Sequence, residues 1–238
     1  MLSHRLRKIA AVAGPERVRQ IDDVLRRHPL VTRALLEGTS PLRIADALMR
    51  VCAAIEMESE QHARRLVEAA TLLARACGLV SHDVDDLALG CLVHDVGKLS
   101  VPDAILKSPT TLSPTELDWI HMHASLGHAV LFGVPGMEAA AALVLHHHEY
   151  WNGSGYVGAR GDDIPLAARI FVVVDSYEAM IRDDRVFRDG MPHTMARDEI
   201  LSLSGVRYDP ALVAVFRGID EPRWRAIFEP ARVDVRAA

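Results

Sequence analysis

The 238-residue sequence is poor in cysteine. Cys52, Cys77 and Cys91 are the only three, and no two form a CxxC pair. An odd, sparse set excludes a disulfide framework and implies reduced thiols within helices in a cytoplasmic setting. No run of 18 apolar residues occurs, so a membrane-spanning helix is not expected. The start, "MLSHRLRKIAAVAG", has basic residues but no apolar run of signal-peptide length. An excess of positive charge is also missing. The formal net charge of −5 argues against DNA, a general nucleic-acid coat or an anionic membrane surface as partner. An anionic substrate stays open, because bound cations can dominate the field at one site. Strand signals are scarce, and neither a repeat nor a low-complexity segment interrupts the chain.

What remains is a helical pattern from end to end. Half of the residues are hydrophobic and a quarter are charged, enough for one sizeable core with a small appendage. "TSPLRIADALMRVCAAIEMESEQHARRLVEAATLLARACG" has apolar residues at helical spacing and stops at Gly78. "HDVDDLALGCLVHDVGK" predicts a second helix. Ser113-Pro114-Thr115-Glu116 is a capping-box start for a helix reaching about Phe132. "MEAAAALVLHHHEY" predicts another helix, and "WNGSGYVGARGDDIP" a long glycine-bearing loop of the kind that is usually functional. "PLAARIFVVVDSYEAMIR" has a strand-like centre, but its length and unbroken apolar pattern favour a buried helix. Asp209-Pro210 opens a helix through about Gly218. The fold expected is all-α. Residues 1–50 are read as a helical appendage, with a boundary hint at Gly38–Pro41. Residues 51–220 are read as the main domain and 221–238 as a tail.

The chemistry concentrates at Leu145–Val157, "LHHHEYWNGSGYV", where three histidines and a glutamate run into the loop. A metal site explains them only if other segments supply ligands. His94 and Asp95 are adjacent at a helix end. Neighbours on a helix point about 100° apart, so both reach one metal only where the backbone stops being regular. Glu58 and His62 stand at i and i+4, which suits joint ligation and equally a plain salt bridge. His123 is flanked by His121 and His128, and the sequence does not say which imidazole points inward. Asp175 lies in the buried-looking "IFVVVDSYEAM", where a carboxylate needs a partner or a cation.

The order of these segments resembles the HD-GYP family, a branch of the HD superfamily of metal-dependent phosphohydrolases, from roughly Glu56 to Gly218. The family pattern appears as "HDVGK", "VPDAIL", "MHASLG", "HHEYWNGSGYV", "IPLAARI", "VVDSYEAM", "DRVFR" and "YDP". The resemblance implies an HD-type helical bundle with a buried polynuclear site. Its ligands would be Glu58, His62, His94, Asp95, His123, His147, His148 and Asp175. They would hold two or three divalent transition-metal ions, iron or manganese, with the third depending on Glu58. Asp95 would bridge the ions and Lys98 would hold a phosphoryl oxygen. Arg185 and Arg188 would meet substrate phosphates, Tyr156 would stack on a base, and Gly155 would let the loop approach the ligand. His146 has no assigned role.

The implied reaction is hydrolysis of cyclic di-GMP to pGpG and/or GMP. The alternatives are an HD phosphohydrolase for another nucleotide, or an inactive metal-containing signalling module. A homodimer contact or a signalling partner would engage residues 1–50. Two positions depart from the pattern: the proline of GYP is Val157, and the aspartate of DG is Asn152. One residue is also inserted between Asp175 and Arg185. Valine is expected to loosen the turn behind Tyr156, so that Val157→Pro would tighten substrate capture.

Overall fold

The computed structural model describes residues 40–56, 59–182 and 190–229, together with Pro29. Among them the fold is all-α, and its sole β feature is an isolated bridge between Ser204 and Tyr208. In chain order the helices are α1 (Pro41–Glu56), α2 (Glu60–Ala76), α3 (Ser81–Val93), α4 (Asp103–Leu106), α5 (Pro114–His121) and α6 (His123–Leu131). There follow α7 (Glu138–His146), α8 (Leu166–Ile181), α9 (His193–Ser202), α10 (Pro210–Gly218) and α11 (Glu221–Phe228). Short 3-10 turns occupy Val96–Ser100 and Gly161–Asp163.

The boundaries have local causes. The long helical stretch expected up to Gly78 is two helices, because Ser59 caps a fresh start by accepting from the His62 amide. Its end is as expected: Gly78 takes a φ of +83°, the left-handed conformation that closes many helices. The capping box at Ser113 and Glu116 forms in both directions. The helix it starts does not reach Phe132, however, since the chain breaks at Met122 between α5 and α6. In α8 the side chains of Ile170, Phe171, Val172, Val173 and Val174 are all buried. A helix covered on every side needs no polar face, which explains its strand-like composition.

Two cores share the interior. One gathers Leu66, Leu73, Phe171, Tyr177, Phe216 and Trp224 from α2, α8, α10 and α11. The other gathers Ile44, Leu48, Val93, Leu131 and Val144 from α1, α3, α6 and α7. Two sequence boundaries give way here. Helix α1 runs through residue 50 with Ile44, Ala45 and Leu48 in the second core, so a division at 50 would cut a packed helix. The supposed tail begins with α11, whose Trp224 is fully buried. Residues 1–39, apart from Pro29, lie outside the described residues, and with them most of the segment assigned to a dimer or signalling contact.

The end of α3 and the start of α6 are held together by one glycine. A Cβ on Gly97 would lie 1.8 Å from the His123 carbonyl oxygen, so only glycine lets the turn after Asp95 rest on α6. That contact sets the distance between Asp95 and His123.

Candidate metal centre

Helix α3 ends at Val93. His94 is still helical, with φ −52° and ψ −39°, whereas Asp95 has turned to φ −96° and ψ 10°. This is the irregularity that adjacent ligands require. His94 joins His62 of α2 and Asp175 of α8 in one group whose donor atoms lie within 4.8 Å of one another. His123, His147 and His148 form a second such group. Asp95 stands between them. Its Oδ2 is 3.1 Å from His94 Nε2, and its Oδ1 is 3.3 Å from His123 Nε2 and 3.8 Å from His147 Nε2.

Seven of the eight expected ligands therefore meet at one place. Glu58 lies outside the described residues, as do Arg185 and Arg188. The regular helix that carries His62 begins at Glu60.

The imidazoles are oriented from behind. Nδ1 of His94 donates to the Cys91 carbonyl at 2.9 Å, that of His123 to Ile120 at 2.5 Å, and that of His147 to Val144 at 2.7 Å. A carbonyl only accepts, so each Nδ1 carries the proton and each neutral ring turns the Nε2 lone pair inward. His123 Nε2 and His147 Nε2 consequently face each other at 3.0 Å, beside a carboxylate oxygen. Acceptors that converge in this way fit a cation between them, and a donor set of imidazoles and carboxylates suits a divalent transition metal. The neighbours are turned elsewhere. His146 donates to the Ala142 carbonyl, and the His121 ring lies on Tyr156.

Burial pushes the His147 imidazolium far below its usual range, helped by neighbouring His148 and His123. Burial likewise brings His148 down to about 3. Both rings are neutral near pH 7, the form that ligates. For Asp95 burial opposes ionisation, yet the Lys98 ammonium beside it, with His94 close by, outweighs burial and holds the carboxyl well below the ordinary carboxylate range. Asp175 is pushed up by burial, with His94 partly offsetting it. Lys98 Nζ rests 2.6 Å from Asp95 Oδ2, so its ammonium is directed at the proposed bridging carboxylate. A cavity of about 160 Å³ opens here, lined by His62, His94, Asp95, Lys98, His148 and Asp175 among others.

Over the second group lies the loop. Tyr156 is 39% exposed, with its ring centroid 4.1 Å from that of His121 and 4.7 Å from that of His148. Gly155 makes its close approach to the protein itself: a Cβ there would lie 2.5 Å from Glu149 Cα and 2.6 Å from the His148 oxygen.

Two carboxylates to which the sequence assigns no role, Glu149 and Glu178, are both 1% exposed. Glu178 accepts from His62 Nδ1 and from Arg65 Nη2, each at 3.0 Å. It follows Asp175 by three residues on α8, the spacing that shares a helix face, and this was the available signal. Glu149, directly after His148, accepts from the Val157 amide at 2.6 Å.

A family-wide sequence profile of the HD domain matches residues 46–212. The chain belongs to the HD-domain family. Within it, the motif order from "HDVGK" to "YDP" is that of the HD-GYP branch. This HD domain is 32% identical over 169 residues to a cyclic di-GMP phosphodiesterase of Thermotoga maritima, covering 70% of this chain and 46% of that protein. It is 31% identical over 159 residues to the 3′3′-cGAMP-specific phosphodiesterase 2 of Vibrio cholerae, covering 66% and 30%. The chain thus spans less than half the length of either relative. The HD domain also matches a crystal structure of a cyclic GMP-AMP-specific phosphodiesterase of V. cholerae, with a TM-score of 0.58, 20% identity and coverage of 77% and 49%. At that identity the likeness is one of fold.

Proposed function

We propose that the chain is a metal-dependent phosphodiesterase that hydrolyses cyclic di-GMP to pGpG and/or GMP. The observation that carries this reading is the position of Asp95, with one carboxylate oxygen toward each group of inward-turned donors. His62, His94 and Asp175 would hold one ion, and His123, His147 and His148 another, with Asp95 common to both. Iron and manganese suit this mixture of imidazole and carboxylate, and Glu58 is proposed as a ligand of a third ion. Bound divalent ions of this kind supply a hydroxide nucleophile at neutral pH and screen the charge of a phosphodiester.

The protein's own groups define what is done around them. Asp95 remains anionic through the pH range of the reaction, and the backbone carbonyls behind His94, His123 and His147 keep their Nε2 atoms directed inward. Lys98, with its Nζ 2.6 Å from Asp95 Oδ2, would donate to a non-bridging phosphoryl oxygen. Tyr156 presents the exposed part of its ring and its hydroxyl beside the second group, and Arg185 and Arg188 would add donors for the other phosphate.

The test is hydrolysis of cyclic di-GMP by protein loaded with iron or manganese, compared with the chelated protein. Product formation that disappears on chelation is expected. Full metal content without turnover on any cyclic dinucleotide would sink the reading and leave a binding module. The similarity to the 3′3′-cGAMP-specific enzyme supports a second reading, in which that mixed dinucleotide is the better substrate. Parallel assays with both dinucleotides separate the two.

A further inference from the structure

Three consecutive loop residues dock on one dipeptide, His148–Glu149. Gly155 lies against its backbone so closely that no Cβ fits. The Tyr156 ring lies beside the His148 imidazole. The Val157 amide donates to Glu149 Oε1 at 2.6 Å. We infer that Glu149 is a positioning residue, which fixes the loop tip and thereby Tyr156 over the second metal group through its bond from the Val157 amide. The role of that tip in substrate capture rests on the phosphodiesterase reading; the latch itself does not.

The base of the loop is held independently. The amides of Trp151 and Asn152 donate to the Arg207 and Val206 carbonyls, each at 3.0 Å, and the Gly161 amide donates to Trp151 at 2.9 Å. Asn152 Oδ1 accepts from the Ser154 amide at 3.0 Å, so the amide in place of an aspartate keeps the acceptor that shapes this turn. Among the described residues the tip meets His148–Glu149, His121 and His123. A hydrogen bond to a carboxylate is among the strong ones. This one is also hard to replace. Glu149 is 1% exposed, and among the described residues its Oε2 has no hydrogen-bond partner. Losing the amide would leave a buried carboxyl group with neither oxygen hydrogen-bonded.

This reverses the expectation for position 157. Proline has no N–H, so valine here supplies a donor as well as a less restrained φ. Val157→Pro should therefore release the tip instead of tightening it.

Hydrogen–deuterium exchange of metal-loaded protein over residues 153–160 tests the latch. Val157→Ala keeps the amide and should exchange like the parent. Val157→Pro should speed exchange of the remaining tip amides about tenfold or more, and Glu149→Gln should do so to a lesser degree. Metal content should stay at the parent level in all three, which separates a freed tip from a collapsed site. With whichever cyclic dinucleotide is hydrolysed, Val157→Pro should raise KM several-fold and leave kcat within about twofold. Exchange in Val157→Pro as slow as in the parent, or loss of protection equally in Val157→Ala, would overturn the inference. If the parent hydrolyses nothing, the exchange result still decides the latch, and only the proposed function falls.

Discussion

Glu178 shows at a single residue how the candidate centre is built. Its carboxylate accepts a hydrogen bond from His62 Nδ1 and so turns that ring's Nε2 toward His94 and Asp175. Partners behind metal-bound histidines are typically worth about 10–100-fold in metal affinity. Glu178→Gln is therefore expected to lower affinity at the His62 group by about that factor, read by competition with a chromophoric chelator. Unchanged affinity would show that Arg65 and packing orient His62 without the carboxylate. Asp95→Asn makes a stronger demand. It removes the charge common to both groups, and total metal content is expected to fall with hydrolysis, as measured by elemental analysis and product assay. Retention of both would mean that Asp95 is a structural partner of Lys98 alone.

Elements explain why some of this was legible and some was not. The capping box at Ser113 and Glu116 announces itself in four residues, and Ser113→Ala is expected to cost about 1 kcal/mol of stability with metal content unchanged. Chemical denaturation checks the first part and elemental analysis the second. Helix α8 could be read despite its "IFVVV" centre, because sixteen residues of unbroken pattern exceed a strand. The break at Ser59 was hidden by apolar spacing that runs on across it, as was the break at Met122. Which of His121, His123 and His128 turns inward depends on where α6 starts, and that start is set by tertiary packing. The same applies to Glu149 and Glu178: a carboxylate that works behind a ligand has no motif of its own. At position 157 it is the backbone amide that donates to Glu149, a contact that no side-chain pattern reports. Gly97→Ala is expected to separate the turn after Asp95 from α6. Loss of metal from the His123 group, by elemental analysis, should accompany a lower melting temperature.

Across the whole molecule, two cores hold apart a polar seam in which His147 and His148 resist protonation. His147 and His148 bind protons less readily in the folded protein than in the unfolded chain, His148 down to about 3. Folded-state values depressed in this way contribute stability above about pH 6.5 that is lost as pH falls. Denaturant midpoints of the metal-free protein should thus decrease from pH 7 toward pH 4, and His148→Gln should flatten that slope. The metal-loaded protein should fall more steeply, because protons then also displace ions.

The most direct test of the central claim pairs metal analysis with a product assay on one anaerobically purified sample, before and after chelation. About two or more transition-metal ions per chain are expected, with hydrolysis of cyclic di-GMP and loss of both on chelation. Turnover that persists after the metal is removed, or full metal content with no cyclic dinucleotide hydrolysed, would contradict it.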